Sequence, residues 1–141
     1  MVGPGIVPGP IFETFSKVIA MLVFAYGTLK RNHGNHGRMV DAGGKFIAED
    51  TIASGVFAMH NLGAFPALVP NPDGGRIYGE VFKVTDLAPL DRLEGYPHFY
   101  DRKTIITEDG RKCLVYFLRN STDPIVAGGN WTARLDSVFS R

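Results

Sequence analysis

Apolar and polar positions along the chain predict a protein built mainly from short β-strands. Residues 21–26 form an uninterrupted apolar run with the length of a strand that is buried on both faces. Residues 51–59 and 77–84 are rich in β-branched and aromatic side chains, which strands favour. Gly55 and Gly79 interrupt these two runs, and we expect a bulge or a close backbone approach at each.

Turn signals delimit the remaining strands. Residues 102–107 and 112–118 have strand character and flank the dipeptide Asp109-Gly110. This dipeptide is typical of a two-residue hairpin turn, because both central positions of such a turn need a positive φ. A second turn is predicted at the Asp-Gly-Gly sequence of residues 73–75.

The helices that the sequence predicts are short and few. Residues 86–94 are one candidate, in which Asp86 is a suitable N-cap, Pro89 lies in the first turn and Gly95 follows the last turn. Residues 35–42 are another. About six strands and two or three short helices predict an α+β domain, with a small mixed sheet or β-barrel and short flanking helices.

The first twenty residues stand apart from this pattern. Residues 1–10 are rich in Gly and Pro, which is typical of irregular structure. Residues 11–20 place apolar side chains at helical spacing and could form a short helix. We therefore expect an N-terminal extension over residues 1–20, helical in part, and one domain over residues 21–141.

Composition narrows the class of protein. Of the 141 residues, 45% are hydrophobic and 21% are charged, as in an ordinary globular domain. The net charge is +1 with both signs interspersed, which argues against nucleic-acid binding. No apolar run approaches the roughly 20 residues of a membrane span, and a signal peptide is not indicated. Cys113 is the one cysteine, so no internal disulfide can form and we expect a cytoplasmic protein.

Glu94 is the first candidate for chemistry. On the predicted helix it lies four residues after Leu90 and seven after Leu87, and therefore on the apolar face. It also lies at the C-terminal end, where the helix dipole disfavours an anion. Both effects raise the pKa of a carboxyl group, as a general acid or base requires. The alternative is that the helix end frays and Glu94 is solvated.

The segment that follows the first strand is the second candidate. Tyr26, Gly27, Thr28 and Leu29 lie where the apolar run ends. Gly27 permits a ligand to approach the main chain closely, and successive free N–H groups can bind an anion. The alternative is an ordinary exit from a strand into a loop.

Several short motifs occur along the chain in a fixed order. They are Tyr26-Gly27-Thr28-Leu29-Lys30-Arg31, Phe65-Pro66-Ala67-Leu68-Val69-Pro70, Gly79-Glu80-Val81-Phe82, Leu90-Asp91-Arg92-Leu93-Glu94-Gly95-Tyr96, Tyr100-Asp101-Arg102 and Tyr116. Together they resemble the γ-glutamylcyclotransferase family, and within it the AIG2-like and γ-glutamylamine cyclotransferase branch. The resemblance covers about residues 21–118, and residues 129–131 show a weaker similarity. Residues 1–20 lie outside it.

The resemblance implies a small mixed β-barrel with flanking helices. It further implies that residues 26–29 bind a small γ-glutamyl substrate and that Glu94 is the catalytic acid/base. We expect such an enzyme to cyclise a γ-glutamyl amine or amide to 5-oxoproline and to release the free amine. The substrate's own α-amino group is the nucleophile, so neither a cofactor nor a metal is expected. The sequence does not indicate the leaving amine or the oligomeric state.

Tyr100 and Tyr116 are further candidates for substrate binding. Their hydroxyl groups either face the substrate or lie at the surface, and the sequence favours neither arrangement. The adjacent cations Lys30 and Arg31 are expected to be solvated, with steering of an acidic substrate as the alternative. Trp131 is expected to anchor the core.

Two other features have a chemical and a structural interpretation. His33 and His36 have the spacing of two metal ligands, but a polar, glycine-rich loop explains them better because no third ligand is evident. Cys113 lies in a predicted strand and is expected to be a packed thiol.

Two rival classes of function remain. One is a binding module that holds an acidic metabolite or a peptide end without turnover, and the other is an interaction protein on the same scaffold. Glu94 favours the enzyme, because binding an anion gains nothing from a carboxylate in the pocket.

Overall fold

The computed structural model describes residues 21–132, in which seven strands and two α-helices are found. The elements are β1 (Met21–Ala25), α1 (His36–Asp41), β2 (Lys45–Ile52), β3 (Phe57–Asn61), β4 (Pro66–Pro70), β5 (Ile77–Val84), α2 (Ala88–Glu94), β6 (Asp101–Ile106), β7 (Lys112–Phe117) and a 3₁₀ turn at Ala127–Gly129. The helix predicted at 11–20 and the end of the predicted domain after residue 132 lie outside the described residues. Neither α-helix in this part of the chain is long and apolar enough to cross a membrane.

Strand β1 is the centre of the molecule. It pairs antiparallel with β5 on one side and parallel with β7 on the other, in a mixed sheet of order β2-β5-β1-β7-β6. Val23, Phe24 and Ala25 are all buried, because helices and the β3–β4 hairpin leave neither face of this strand open. The uninterrupted apolar run of the sequence is thus explained by a central position in the sheet.

The sheet is open, which corrects the expected β-barrel. Within the described residues, the edge strands β2 and β6 form no ladder with each other, and β3 and β4 form a separate two-stranded sheet. The β6–β7 turn approaches β2 through a hydrogen bond from the Glu108 N–H to the Thr51 carbonyl (2.8 Å) and through an Arg111–Asp50 ion pair (2.8 Å). Contacts through a turn and side chains therefore replace the ladder that would close a barrel.

Several predicted elements are confirmed. The strand at 77–84 is β5, the hairpin around Asp109-Gly110 is formed by β6 and β7, and both predicted helices are present. The predicted two-residue turn is wrong, because β6 ends at Ile106 and β7 begins at Lys112, and Gly110 has a positive φ (87°) whereas Asp109 does not.

The carboxylate of Asp86 accepts the N–H of Ala88 (3.0 Å), and Gly95 ends α2 with a φ of 65°. The N-cap of α2 is Leu87, which makes no side-chain cap bond, so the prediction of Asp86 as N-cap is displaced by one residue. From its place before Leu87, Asp86 still satisfies the first N–H group of the helix.

The prediction of one strand over residues 51–59 is wrong. Strand β2 ends at Ile52, an exposed turn follows, and β3 begins at Phe57. Gly55 belongs to that turn with a φ of 90°, whereas the register shift lies between Phe46 and Ala48 in β2. The expected close backbone approach is found at Gly79, where a Cβ atom would lie 2.6 Å from the Ala25 carbonyl oxygen.

Candidate active site

A cavity of about 270 Å³ lies where the end of β1, the end of α2 and the start of β4 meet. All seven residues predicted to form a site line it, so that residues far apart in sequence share one pocket. They are Tyr26, Gly27, Thr28, Leu29, Glu94, Tyr100 and Tyr116. The described lining also includes Phe24, Ala25, Asn35, Phe65, Pro66, Leu93 and Phe99.

The loop after β1 offers main-chain donors at this cavity. The N–H of Lys30 donates to the Gly27 carbonyl (3.2 Å), which closes a tight turn over residues 27–30. Within the described chain, no acceptor is found for the N–H groups of Gly27, Thr28 and Leu29. Three successive donors at one pocket can hold an anion or a developing negative charge.

Asn35 fixes the conformation of this loop. Its backbone N–H donates to the Thr28 carbonyl (2.9 Å), and its Nδ2 donates to the Thr28 Oγ1 (2.9 Å). Two bonds between the same pair of residues restrain both the main chain and the side chain of Thr28. The loop is therefore organised before a ligand arrives, which lowers the entropic cost of binding.

Gly27 is required by packing rather than by an unusual φ. A Cβ atom at this position would lie 2.7 Å from Cγ and 2.8 Å from Cδ of Pro66. The pyrrolidine ring is rigid and Pro66 is buried at the start of β4, so it cannot turn away. The loop and β4 approach each other this closely because Gly27 has no side chain.

Glu94 projects from the last turn of α2 to the cavity wall, where it is partly buried. Its carboxylate makes no hydrogen bond or ion pair with the described residues, and burial raises its pKa from 4.5 to about 7. The prediction of a carboxyl group with a raised pKa on the apolar side of the helix is confirmed, and the alternative of a solvated helix end is not. A group that titrates near neutral pH can both accept and return a proton.

Three tyrosine rings line the cavity, but their hydroxyl groups donate hydrogen bonds to other groups of the protein. Tyr26 donates to the Tyr116 carbonyl (2.8 Å), Tyr100 donates to the Pro66 carbonyl (2.7 Å), and Tyr116 donates to Asp91 (2.7 Å). Burial raises the pKa of all three hydroxyls far above the ordinary value of 10. They therefore stay neutral near pH 7, and neither predicted arrangement of Tyr100 and Tyr116 is found.

The sequence from residue 23 to residue 133 matches the family model described as gamma-glutamyl cyclotransferase, AIG2-like. This match spans more than three quarters of the chain. The chain belongs to the AIG2-like γ-glutamylcyclotransferase family.

Individual relatives agree with this membership. A Drosophila melanogaster protein named "putative gamma-glutamylcyclotransferase" is 36% identical, over 77% of this chain and 76% of its own length. A Vibrio cholerae protein of the same name is 33% identical, over 81% of this chain and 97% of its own length. The crystal structure of a mouse AIG2-like protein has a TM-score of 0.69 at 23% identity and covers 79% of this chain and 88% of that one, which shows the shared fold.

The AIG2-like domain places the other candidate residues outside the cavity or in structural roles. His36 donates a hydrogen bond from Nδ1 to the Leu29 carbonyl (2.9 Å) and packs against Phe82. Among residues 21–132 no group of three His, Cys, Asp or Glu side chains is arranged to hold a metal ion. Cys113 is buried, and this burial raises the pKa of its thiol to about 11.

The expected solvation is wrong for Lys30 and right for Arg31, whose side chain is 41% exposed. Lys30 is buried, and its ammonium group donates to the carbonyl of Trp131 (2.6 Å), which is itself fully buried as predicted. Arg31 pairs with Glu80 (3.3 Å) and stacks on the ring of Phe46 at 3.5 Å. Both cations therefore support the structure around the loop.

The sequence did not single out the other lining residues of the cavity, among them Asn35, Phe65 and Phe99. Asn35 is the N-cap of α1 and Phe99 lies in the loop after α2, and the proximity of both residues to Glu94 depends on the fold. Phe65 is part of the segment that resembles the family, which was the signal that could have indicated it. All three are brought to the cavity by loop contacts rather than by strand or helix periodicity.

The raised pKa of Glu94 predicts a pH-dependent effect on stability. Between about pH 4.5 and 7 the native carboxyl group holds a proton that the unfolded chain releases, so the free energy of unfolding falls as pH rises. Glu94→Gln removes the ionisable group and with it this pH-dependent fall in the free energy of unfolding. The variant should therefore be more stable than the wild type by at most roughly 3 kcal/mol at pH 8, and nearly equal to it at pH 4. Urea denaturation at both pH values measures the free energy of unfolding. Glu49→Gln is the control, because the side chain of Glu49 is 79% exposed. Equal effects of Glu94→Gln at both pH values would contradict the account.

Proposed function

We propose that this protein cyclises a γ-glutamyl amine or amide to 5-oxoproline and releases the free amine. The observation that carries the proposal is a Glu94 carboxylate with a pKa of about 7 and no hydrogen-bond or ion-pair partner among residues 21–132. It shares one cavity with three N–H groups that have no acceptor among the same residues. The family membership of the chain supports the same class of reaction.

The first step is removal of a proton from the substrate. The ionised Glu94 carboxylate accepts a proton from the substrate's α-ammonium group, and the resulting amine attacks the γ-carbonyl carbon. A carbon–nitrogen bond forms and closes a five-membered ring, while the carbonyl oxygen becomes an oxyanion. Holding the substrate folded in a cavity supplies proximity, which is worth on the order of 7 kcal/mol in well-oriented cases.

The second step expels the leaving amine. The oxyanion collapses to the lactam carbonyl, and the bond between the γ-carbon and the amide nitrogen breaks. Protonated Glu94 gives its proton to the departing nitrogen, which restores the carboxylate. The ring nitrogen still carries one proton more than the lactam needs; it loses this proton as the lactam forms, and the released amine takes it up and leaves as an ammonium ion. One carboxyl group thus serves as base and then as acid, and the balance of atoms requires no water.

The loop over residues 27–29 has a complementary role. Its N–H groups hold the α-carboxylate of the substrate or stabilise the oxyanion while it develops. The substrate supplies its own nucleophile, so the proposed reaction needs no metal ion or cofactor. Cyclisation that is insensitive to a chelator is the corresponding expectation.

The proposal predicts the pH dependence of turnover. Because free Glu94 must be ionised to accept the ammonium proton, kcat/KM for 5-oxoproline release should rise with pH through about 7. It should fall again where the free substrate loses its ammonium proton. Measuring 5-oxoproline release from pH 5 to pH 10, with and without a chelator, tests this. A profile that is flat through pH 7, or activity that the chelator removes, would assign the proton transfer to another group.

A binding module is the second candidate function. The same cavity and the same N–H donors would hold an acidic metabolite or a peptide end without turnover. Its signature is binding of γ-glutamyl compounds with no 5-oxoproline formed at any pH. The raised pKa of Glu94 favours the enzyme, because an unpaired carboxylate at the cavity wall weakens the binding of an anion.

A further inference from the structure

The position of the Glu94 carboxyl group depends on the position of its helix. Among residues 21–132 this group has no hydrogen-bond or ion-pair partner that would hold it directly. Helix α2 has seven residues and ends at Glu94, so a small shift of the helix would move the carboxyl group relative to the cavity. The contacts that fix α2 against the sheet therefore also fix the proposed acid/base.

Asp91 bonds α2 to the sheet. It lies three residues before Glu94, and its Oδ1 and Oδ2 each accept a hydrogen bond from Arg102 Nη1 (2.6 Å). Its Oδ1 also accepts the hydroxyl hydrogen of Tyr116 (2.7 Å). Arg102 and Tyr116 are direct partners in the β6–β7 ladder, so two adjacent strands present donors to one carboxylate. Hydrogen bonds to an ionised group are roughly twice as strong as neutral ones, so this contact restrains the helix firmly.

Arg102 supports the chain on both sides of Glu94. Besides its bonds to Asp91, its guanidinium group lies 4.0 Å from the ring centroid of Tyr96. The N–H of Tyr96 in turn donates to the Asp91 carbonyl (3.0 Å). The side chains of Asp91 and Arg102 are 26% and 25% exposed, so water competes only in part for their bonds. The residues three before and two after Glu94 thus contact one partly buried cation.

The same carboxylate is linked to the loop that carries the N–H donors. Tyr116, which donates to Asp91, lines the cavity with its ring, and its carbonyl accepts the hydroxyl hydrogen of Tyr26 (2.8 Å). Tyr26 directly precedes the N–H groups of residues 27–29. A path of side-chain hydrogen bonds therefore joins the helix that carries Glu94 to the loop that shares its cavity. The described lining of this cavity does not include Asp91 itself.

We propose that Asp91 is a positioning residue of this site: by binding Arg102 and Tyr116 at once, it sets the distance between Glu94 and the N–H groups of residues 27–29. This role rests on the proposed function and deepens it, since that distance decides whether a substrate held by the loop presents its α-ammonium group to Glu94. Asp91 moves no proton and touches no substrate. A purely structural ion pair would stabilise the fold without affecting the chemical step.

Asp91→Ala should lower kcat for 5-oxoproline release by about 100-fold, as a misplaced acid/base in a well-oriented site predicts. KM should change little, since the N–H groups that hold the substrate remain in place. Asp91→Asn keeps a neutral acceptor for both donors, so it should lose only about tenfold. Wild-type kcat in folded Asp91→Ala, or a loss confined to KM, would overturn the positioning role and leave the reaction standing. If Asp91→Ala does not fold, wild-type kcat in Asp91→Asn has the same meaning.

Glu108→Ala is the matched control. Glu108 also binds an arginine and a hydroxyl group, because its Oε1 accepts from Arg76 Nε (2.7 Å) and from Thr51 Oγ1 (2.6 Å). Its side chain is 32% exposed, and it does not line the cavity. The variant loses an ion pair of similar exposure and should keep wild-type kcat and KM. A fall in kcat equal to that of Asp91→Ala would show a general effect of destabilisation and would overturn the positioning role.

The pKa of Glu94 provides a readout that needs no turnover. NMR titration of its side-chain carboxyl carbon, assigned with Glu94→Gln, should give a pKa of about 7 in the wild type. In Asp91→Ala the pKa should fall toward 4.5, because the displaced carboxyl group gains water. The tyrosine hydroxyls of the cavity stay neutral in this range. The other titratable or charged groups to consider are Asp91 and Arg92 on α2, His98 in the following loop and Arg102 on β6.

Arg102→Met separates displacement of the helix from a simple effect of charge. Removing Asp91 leaves the Arg102 cation, which would lower the pKa of Glu94 even if the helix stayed in place. Removing Arg102 leaves the Asp91 anion, which would raise that pKa. Displacement lowers the pKa in both variants, and this is the result we expect; opposite shifts, or no shift, would overturn the positioning role. The expected pKa values without any 5-oxoproline would overturn the proposed reaction and leave the positioning role standing.

Discussion

Replacing Glu94 by Gln is expected to lower the rate of 5-oxoproline release by about 100-fold or more. Glutamine keeps the size and shape of the side chain, but it cannot take a proton from the substrate's ammonium group or return one to the leaving amine. The cavity wall and the available N–H groups of residues 27–29 remain in place. The loss should therefore appear in kcat, whereas the affinity for an uncleavable analogue should change little.

Glu49→Gln is the matched control for this experiment. Glu49 is an exposed residue of β2 that does not line the cavity, so its replacement makes the same chemical change away from the site. Its turnover should equal that of the wild type. If Glu94→Gln also retained full turnover, another group would have to move the proton, and the proposed mechanism would fail.

Gly27→Ala is expected to lower kcat/KM by about 100-fold, because displacements of about 1 Å can cost that much in a well-oriented site. The new Cβ atom would lie 2.7 Å from the rigid ring of Pro66, so the loop or β4 must shift. A shift of Pro66 also disturbs Tyr100, whose hydroxyl donates to the Pro66 carbonyl. The loss should be measured as 5-oxoproline release under conditions where circular dichroism shows a folded variant.

Gly37→Ala is the control for the loop variant. Gly37 lies in α1, and a Cβ there would meet nothing within 4 Å. Alanine favours a helix over glycine, so this variant should be fully active and slightly more stable. Gly27→Ala with wild-type kcat/KM would show that the close packing on Pro66 does not set the geometry of the site.

The sequence predicted best those elements whose pattern matches their burial. The central strand β1 is apolar throughout because both its faces are covered, and β5 was identified with its observed bounds, Ile77–Val84. In α2 the same periodicity that buries Leu90 places Glu94 at the cavity wall. The candidate catalytic residue could thus be located from helix geometry, and the family resemblance supplied its suggested role.

Elements at the edge of the fold were harder to predict. Most of β2 is exposed, and the alternation that marks a half-buried strand is missing, so residues 45–50 gave no signal. Strand β4 begins and ends with proline, which argues against a strand unless its edge is free. Its partner in the described residues is β3 alone, and this position tolerates both prolines.

The tyrosine hydroxyls show a further limit of sequence reasoning. A tyrosine in an apolar segment reveals that its ring is buried, but not which acceptor its hydroxyl finds. Tyr100 and Tyr116 bond to the Pro66 carbonyl and to Asp91, partners that are 34 and 25 residues away in sequence. Such pairs are set by tertiary packing, as are the positions of Asn35 and Phe99.

The central claim is that the substrate's α-amino group, and not water, displaces the amine. The most direct measurement is mass spectrometry of the products formed from γ-glutamylbenzylamide by the wild-type protein in heavy-oxygen-labelled water. The account predicts one equivalent of benzylamine for each 5-oxoproline, and no label in the 5-oxoproline. Labelled glutamate in place of 5-oxoproline would show hydrolysis, and the absence of any product from this and other γ-glutamyl amides would show a binding protein; either result would contradict the account.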